Sequence, residues 1–190
     1  MDSKPQLLIL KEIQDIVSAL DLKIWVRGGW AIDFHLGRIT REHSDLDLVA
    51  WIKHRELLEK ELVRAGYKKI PVSEYQTDFL KKDVDASIVF VCLSDNGEIF
   101  ANSFPEWVWT KGALPDRQHT LEGVTSRVLS PQQLLQEKEV YEQGTGKKLR
   151  PKDRKSIEMI KKIIEKEVKK RLSLERVVLE KNALYTHFKK

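Results

Sequence analysis

Apolar residues recur at three- and four-residue intervals through Leu7, Leu10, Ile13, Val17 and Leu20, which predicts an amphipathic first helix. The period then shortens. Lys23 to Arg27 alternates around Ile24 and Val26 and reads as a strand, followed by a short helix from Gly29 to Leu36 that Gly37 ends. Asp45 to Ile52 reads as a second strand, and His54 to Ala65 as a charged amphipathic helix closed by Gly66. Two strands around a turn follow at Tyr67–Val72 and Glu74–Leu80. Val84 to Leu93 is so apolar that it is expected to cross the centre of a sheet. Ser94-Asp-Asn-Gly97 turns into a short strand at Glu98–Phe100.

From Asn102 to Arg127 the periodicity is lost, and the segment reads as a long ordered loop with short extended pieces. Ser130-Pro131 then starts a helix to about Tyr141, broken by Gly144-Thr-Gly146. A long helix is expected over Pro151–Leu172, with Ile157, Ile160, Ile164 and Val168 on one side, and another over Ser173–Leu184. This order predicts an α/β catalytic domain over residues 1–127 and a C-terminal helical region over 128–190.

The 190 residues suffice for one sizeable core, and the balance of 41% hydrophobic to 33% charged residues is that of a soluble globular protein. No apolar run approaches the roughly 20 residues needed to cross a bilayer. The first ten residues lack the features of a signal peptide, and the single cysteine, Cys92, reads as a buried small hydrophobe. The expected setting is cytoplasmic. Charge is uneven: Lys147–Lys190 carries 16 basic and 6 acidic residues, a net +10 against −5 for the remainder. Such a segment suits an anionic partner. However, Glu158 with Lys162 and Glu165 with Lys169 are spaced for pairing along a solvated helix face, so nucleic acid is not the favoured partner.

The chemistry is concentrated between residues 28 and 47. Gly28-Gly29 ends a strand and opens a helix, where bare N–H groups can cradle a phosphate. Asp45 and Asp47 stand two apart on a strand and so share a face, with Leu46 and Leu48 turned to the core. Two neighbouring carboxylates repel unless a cation neutralises them, and Mg²⁺ takes such ligands together with substrate phosphates. Asp85, at the head of the apolar strand, is the candidate third carboxylate. Asp83 shares its parity but lies further into the Lys81-Lys82 turn.

The stretches Gly28-Gly29-Trp30-Ala31, Leu36-Gly37-Arg38, Thr40-Arg41-Glu42-His43 and Asp45-Leu46-Asp47-Leu48 resemble the head of the nucleotidyltransferase superfamily. Within it they are most similar to lincosamide nucleotidyltransferases and aminoglycoside 2''-adenylyltransferases. Val84-Asp85, Asp95-Asn96-Gly97 and Ser130-Pro131-Gln132 follow in the same order. The resemblance implies a polymerase-β-like core, a short mixed sheet flanked by helices, with a C-terminal helical cap. It implies that Asp45 and Asp47 hold one or two Mg²⁺ ions on ATP or another nucleoside triphosphate. Asp85 would be base or third metal ligand, and Gly28, Gly29 and Ser44 would hold the phosphates. It further implies transfer of a nucleoside monophosphate to a hydroxyl of a small molecule, an aminoglycoside- or lincosamide-like antibiotic among them, with release of pyrophosphate. Toxin–antitoxin relatives acting on a protein or tRNA, and a binding module without turnover, are the alternatives. The chain departs from the pattern at Ala86-Ser87, where a His-Pro-like pair follows the third aspartate in the drug-modifying relatives, at Arg27 before the glycines, and in its basic tail.

Other residues carry two readings each. Arg41 could meet a phosphate or make a surface ion pair, Lys138 could reach the triphosphate or stay solvated, and His43 could serve the site or brace its loop. Trp107 and Trp109 could wall the acceptor or pack in the core. Gly144-Thr-Gly146-Lys147 lacks the spacing of a P-loop, and one cysteine with scattered histidines assembles neither a zinc site nor a nucleophile elbow.

Overall fold

The computed structural model describes residues 4–142, 146 and 148–187, with side chains to residue 175. Helix α1 (Lys4–Ala19) buries Leu7, Ile9, Leu10, Ile13 and Val17, and packs on the sheet and on α3 (Arg55–Arg64). Helix α2 (Gly28–Leu36) stops at Gly37, whose left-handed φ of 68° lets two backbone N–H groups turn back to Asp33 and Phe34. The expected glycine break between residues 143 and 147 falls mostly outside the described residues.

Nine strands among the described residues form one mixed sheet. They are β1 (Ile24–Val26), β2 (Asp45–Trp51), β3 (Lys68–Ser73), β4 (Gln76–Lys81), β5 (Val84–Leu93), β6 (Ile99–Ala101), β7 (Phe104–Val108), β8 (Gln118–Leu121) and β9 (Val124–Val128). The main path runs β3-β4-β5-β2-β1-β9-β8, with β6 and β7 attached to the far end of β5. β2 lies antiparallel to β1 and parallel to β5. Leu46, Leu48, Ala86, Ile88 and Phe90 are fully buried, as the apolar content of the two strands requires.

Three sequence expectations are corrected. The stretch 102–127 is not a loop: it holds β7 and the β8–β9 hairpin, and β9 completes the sheet by pairing parallel to β1. Four of the five residues of β7 and two of the four in β8 are exposed beyond the half-buried level, so neither strand writes an alternating pattern into the sequence. The two C-terminal helices are one, α5 (Pro151–His187). Ser173 lies inside it, its hydroxyl donating back to the Lys170 carbonyl (2.8 Å) rather than capping a new helix. Helix α4 (Pro131–Glu139) begins as expected, with Ser130 Oγ accepting the Gln133 N–H at 3.2 Å. Leu134 of α4 and Ile160 and Ile163 of α5 join the same core as α1 and the sheet. Beyond Ile164 the described apolar side chains of α5, Val168, Leu172 and Leu174, are exposed. Cys92 is half-buried, not buried, and its thiol donates to Asn102 Oδ1.

Candidate active site

Because β2 and β5 run parallel in register, Asp45 stands opposite Asp85 and Asp47 opposite Ser87. The antiparallel neighbour β4 sets Asp78 opposite Ser87. These positions open into a cleft of about 490 Å³ lined by Ser44, Asp45, Asp47, Gln76, Asp78, Asp85 and Ser87. Asp83 stays in the β4–β5 turn, with φ of 58° next to Lys82 at 50°. The three expected carboxylates therefore share one cleft, and Asp78 is an acidic lining residue that sequence reasoning missed. Its signal was weak, since a strand aspartate in Gln-Thr-Asp reads as ordinary edge polarity.

Gly28 and Gly29 open α2 directly beside this wall. The Arg27 N–H donates to the Asp47 carbonyl (2.8 Å), tying the end of β1 to β2. Gly28 has φ of 65°, and a Cβ there would lie 2.3 Å from Asp47 Oδ2. A Cβ on Gly29 would meet Arg41 Nη2 at 2.3 Å and the His43 ring below 3 Å. At Gly28 the positive φ favours glycine whatever the space, and at Gly29 a side chain would have to displace Arg41 and press on the His43 ring. No side chain caps the first turn of α2, which leaves its amides available to an anion.

The loop from Gly37 to Ser44 is held by a buried hydrogen-bonded cluster. His43 Nε2 meets Asp33 Oδ2 at 2.7 Å, Thr40 Oγ1 donates to Asp33 Oδ1 at 2.6 Å, and the His43 ring stacks on Trp30 at 4.3 Å. His43 thus braces the loop. Arg41 lies over Gly29 and donates to the Glu42 carbonyl (2.7 Å), while Ser44 Oγ donates to Asp45 Oδ1 (3.2 Å). Trp107 is 44% exposed and stacked on Phe104, and Trp109 packs against the core; neither lines the cleft.

Beside the cleft, and not among the residues that line it, lie α4 and the start of α5. Lys138 Nζ donates to Asp153 Oδ1 at 2.8 Å, and Arg150 Nε to Asp153 Oδ2 at 2.7 Å. Burial alone would raise the Asp153 carboxyl, but these donors outweigh it and hold the group far below the usual carboxylate range. Arg150 also feels Asp45 across the gap. Glu137, another residue the sequence did not single out, pairs with Arg27 (Oε1 to Nη2, 3.4 Å). Burial and the nearby Asp47 push its carboxyl up, against the pull of Arg27 and Lys138.

The donor set fits a hard divalent cation, since Asp45, Asp47 and Asp85 offer only carboxylate oxygens from one side. Among the described residues, no three His, Cys, Asp or Glu side chains are drawn in tightly enough to hold an ion by themselves. The open side leaves room for oxygens from a ligand.

A sequence profile of the aminoglycoside-2''-adenylyltransferase family matches residues 9–160. The chain belongs to that family. A 2''-aminoglycoside nucleotidyltransferase from Escherichia coli is 34% identical over 70 residues, which are 37% of this chain and 40% of that protein. The chain thus aligns with less than half the length of this relative. Among solved structures, ANT(2'')-Ia in complex with adenylyl-2''-tobramycin superposes with a TM-score of 0.71 at 22% identity, covering 82% of this chain and 87% of the other. The lincosamide antibiotic adenylyltransferase LnuA, lincomycin-bound, gives 0.64 at 21% identity, covering 83% and 96%. At those identities the likeness shows the fold, the mixed α/β nucleotidyltransferase core with its C-terminal helix. No described helix is long and apolar enough to cross a membrane.

Proposed function

We propose that this family member transfers a nucleoside monophosphate, AMP from ATP, to a hydroxyl of a small-molecule antibiotic of aminoglycoside or lincosamide type, in a Mg²⁺-dependent reaction. The observation that carries the reading is the parallel β2–β5 register, which puts Asp45, Asp47 and Asp85 in one cleft beside the diglycine head of α2.

Each residue then has a task its position supports. The amides of Gly28 and Gly29, with Ser44 and Arg41 adjacent, receive the β- and γ-phosphates. Asp45 and Asp47 would hold the ion, which when bound supplies charge neutralisation on the triphosphate. Asp85 takes the proton of the acceptor hydroxyl as its oxygen forms a bond to the α-phosphorus. The bond from that phosphorus to the bridging oxygen breaks, and pyrophosphate leaves with the electron pair. Positioning accounts for most of the rate, as in other phosphoryl-type transfers. Beside the cleft, Lys138 is fixed on Asp153 and Arg150 interacts electrostatically with Asp45. The acidic lining, Asp78 included, favours acceptors that carry amines.

The test is pyrophosphate release from ATP and Mg²⁺ across a panel of aminoglycosides and lincosamides, with product mass read in parallel. Release with a mass gain of one AMP on an acceptor is the expected result. Failure of the magnesium-loaded protein to bind any nucleoside triphosphate by calorimetry would overturn the reading.

A further inference from the structure

Arg27 is the basic residue directly before the glycines, and its surroundings differ from those of Arg55 and Arg150; Arg127 shares its unspent Nε but pairs with the exposed Asp116, away from the carboxylates of the cleft. Arg55 spends its donors fully: Nε on Glu59, Nη1 on the Glu74 carbonyl, and Nη2 on the Ser73 carbonyl and Thr77 Oγ1. Arg150 places three N–H groups, one of them from the backbone, on Asp153. Arg27 does neither. Its Nε is buried without a hydrogen-bond partner. Its one ion pair among the described residues, to Glu137, stands at 3.4 Å, beyond the usual hydrogen-bond range. A guanidinium offers five N–H donors in a planar fork that matches a phosphate face. Leaving the buried Nε donor unspent is costly unless a ligand uses it. Three groups face the guanidinium electrostatically: Glu137 of α4, Asp47 of β2 and Tyr75 of the β3–β4 turn.

We propose that Arg27 is a phosphate-binding residue of this site, parked against Glu137 when no nucleotide is bound and turned onto the polyphosphate tail of a nucleoside triphosphate when one enters. The inference rests on the nucleotidyltransferase reading and deepens it. The chain position supports it: Arg27 is the residue before Gly28, so its side chain starts from the same corner as the amides that would cradle the phosphates. Its neighbour Asp47 is one of the two carboxylates that would hold the ion on that tail. Glu137 is then the counter-charge that keeps the cation in place between turnovers, and it competes with the nucleotide for it.

That competition gives the proposal a signature that a structural brace lacks. Calorimetry would measure binding of α,β-methylene-ATP with Mg²⁺, of inorganic tripolyphosphate and of AMP to the wild type, Arg27→Met and Glu137→Gln. Arg27→Met is expected to weaken the analogue and tripolyphosphate about tenfold and to leave AMP unchanged. Glu137→Gln is expected to tighten both polyphosphates about threefold, because the fork is freed. Should Arg27→Met lose the fold by circular dichroism, Arg27→Lys keeps the charge without the fork and is expected to fall between the two. Equal binding by wild type and Arg27→Met, or the same direction of change in Arg27→Met and Glu137→Gln, overturns the proposal and leaves the site reading standing. Absence of analogue binding by the wild type overturns both.

Discussion

The sheet wall of the cleft and the helical wall that stands beside it are built by different forces. On the sheet wall, Asp45, Asp47 and Asp85 are fixed by the backbone ladder of β2 and β5, flanked by the fully buried Leu46, Leu48 and Ala86. A side-chain change there alters chemistry without moving the strand. On the helical wall, Lys138, Arg150 and Asp153 are held mainly by one another. A change there removes the device that positions the wall. The difference teaches that mutations of equal chemical size should separate into losses of activity on one wall and losses of order on the other.

The largest effect is expected on the sheet wall. Asp47→Ala should cut transfer by about 10³-fold or more, the scale of removing a preorganised electrostatic group. Its melting temperature should stay within a few degrees of the wild type, since the carboxylate is half exposed and the strand is anchored by its neighbours. Paired measurement of turnover and thermal unfolding checks it; unchanged turnover refutes the site. Next comes Gly28→Ala. The added Cβ, 2.3 Å from Asp47 Oδ2 at a φ of 65°, must displace the carboxylate or the turn. About a 10²-fold loss of turnover is expected, the cost of shifting a reacting geometry by about 1 Å, and Gly28→Ala should fail even at saturating nucleotide.

The helical wall should answer in stability. Asp153 is 1% exposed and accepts from both Lys138 and Arg150. Asp153→Ala strands two cations, though both reach solvent in part, so a loss of about 2–4 kcal/mol is expected by denaturant unfolding. A loss of transfer activity larger than the loss from Asp47→Ala would contradict the division between the walls.

The same division explains what could be read from the chain. The glycines, Asp45, Asp47 and Asp85 were legible because strand parity and the end of a strand are local properties. Asp85 stands beside Asp45 only through a parallel pairing 40 residues apart, yet the apolar run that follows it forces a central strand and so a neighbour of β2. Glu137 and Asp78 left no such trace. Glu137 sits in a Gln- and Glu-rich helix where a carboxylate looks solvated, and its significance arises from Arg27, 110 residues earlier. The Asp33–His43 pair was missed for a like reason: an aspartate inside an apolar helix and a loop histidine become a brace only once the loop closes. β9 was hidden because its partner is β1, far upstream, and because its hairpin mate β8 is largely exposed.

The smallest predicted effect concerns acid and lies where the helical wall meets the sheet edge. His119 of β8 has its ring centroid 4.7 Å from that of His35 of α2, which itself bonds the Leu129 carbonyl at 2.9 Å. Burial, then the neighbouring His35 and Arg117, push His119 down to about 4, against the weaker upward pull of Glu167 on α5. His35 is lowered as well, chiefly by burial. A histidine held neutral by the fold contributes stability above its unfolded pKa near 6.5, and that contribution is lost as the pH falls toward the folded value. The window is therefore about pH 6.5 down to 4. Between pH 7.5 and 5 the wild type should lose about 2–4 °C in melting temperature from this source, and His119→Gln should show a shallower decline over the same interval. If His119→Gln declines as steeply as the wild type, the acid response arises elsewhere, and the β8–α2–α5 contact is not the acid-sensitive seam of the helical wall.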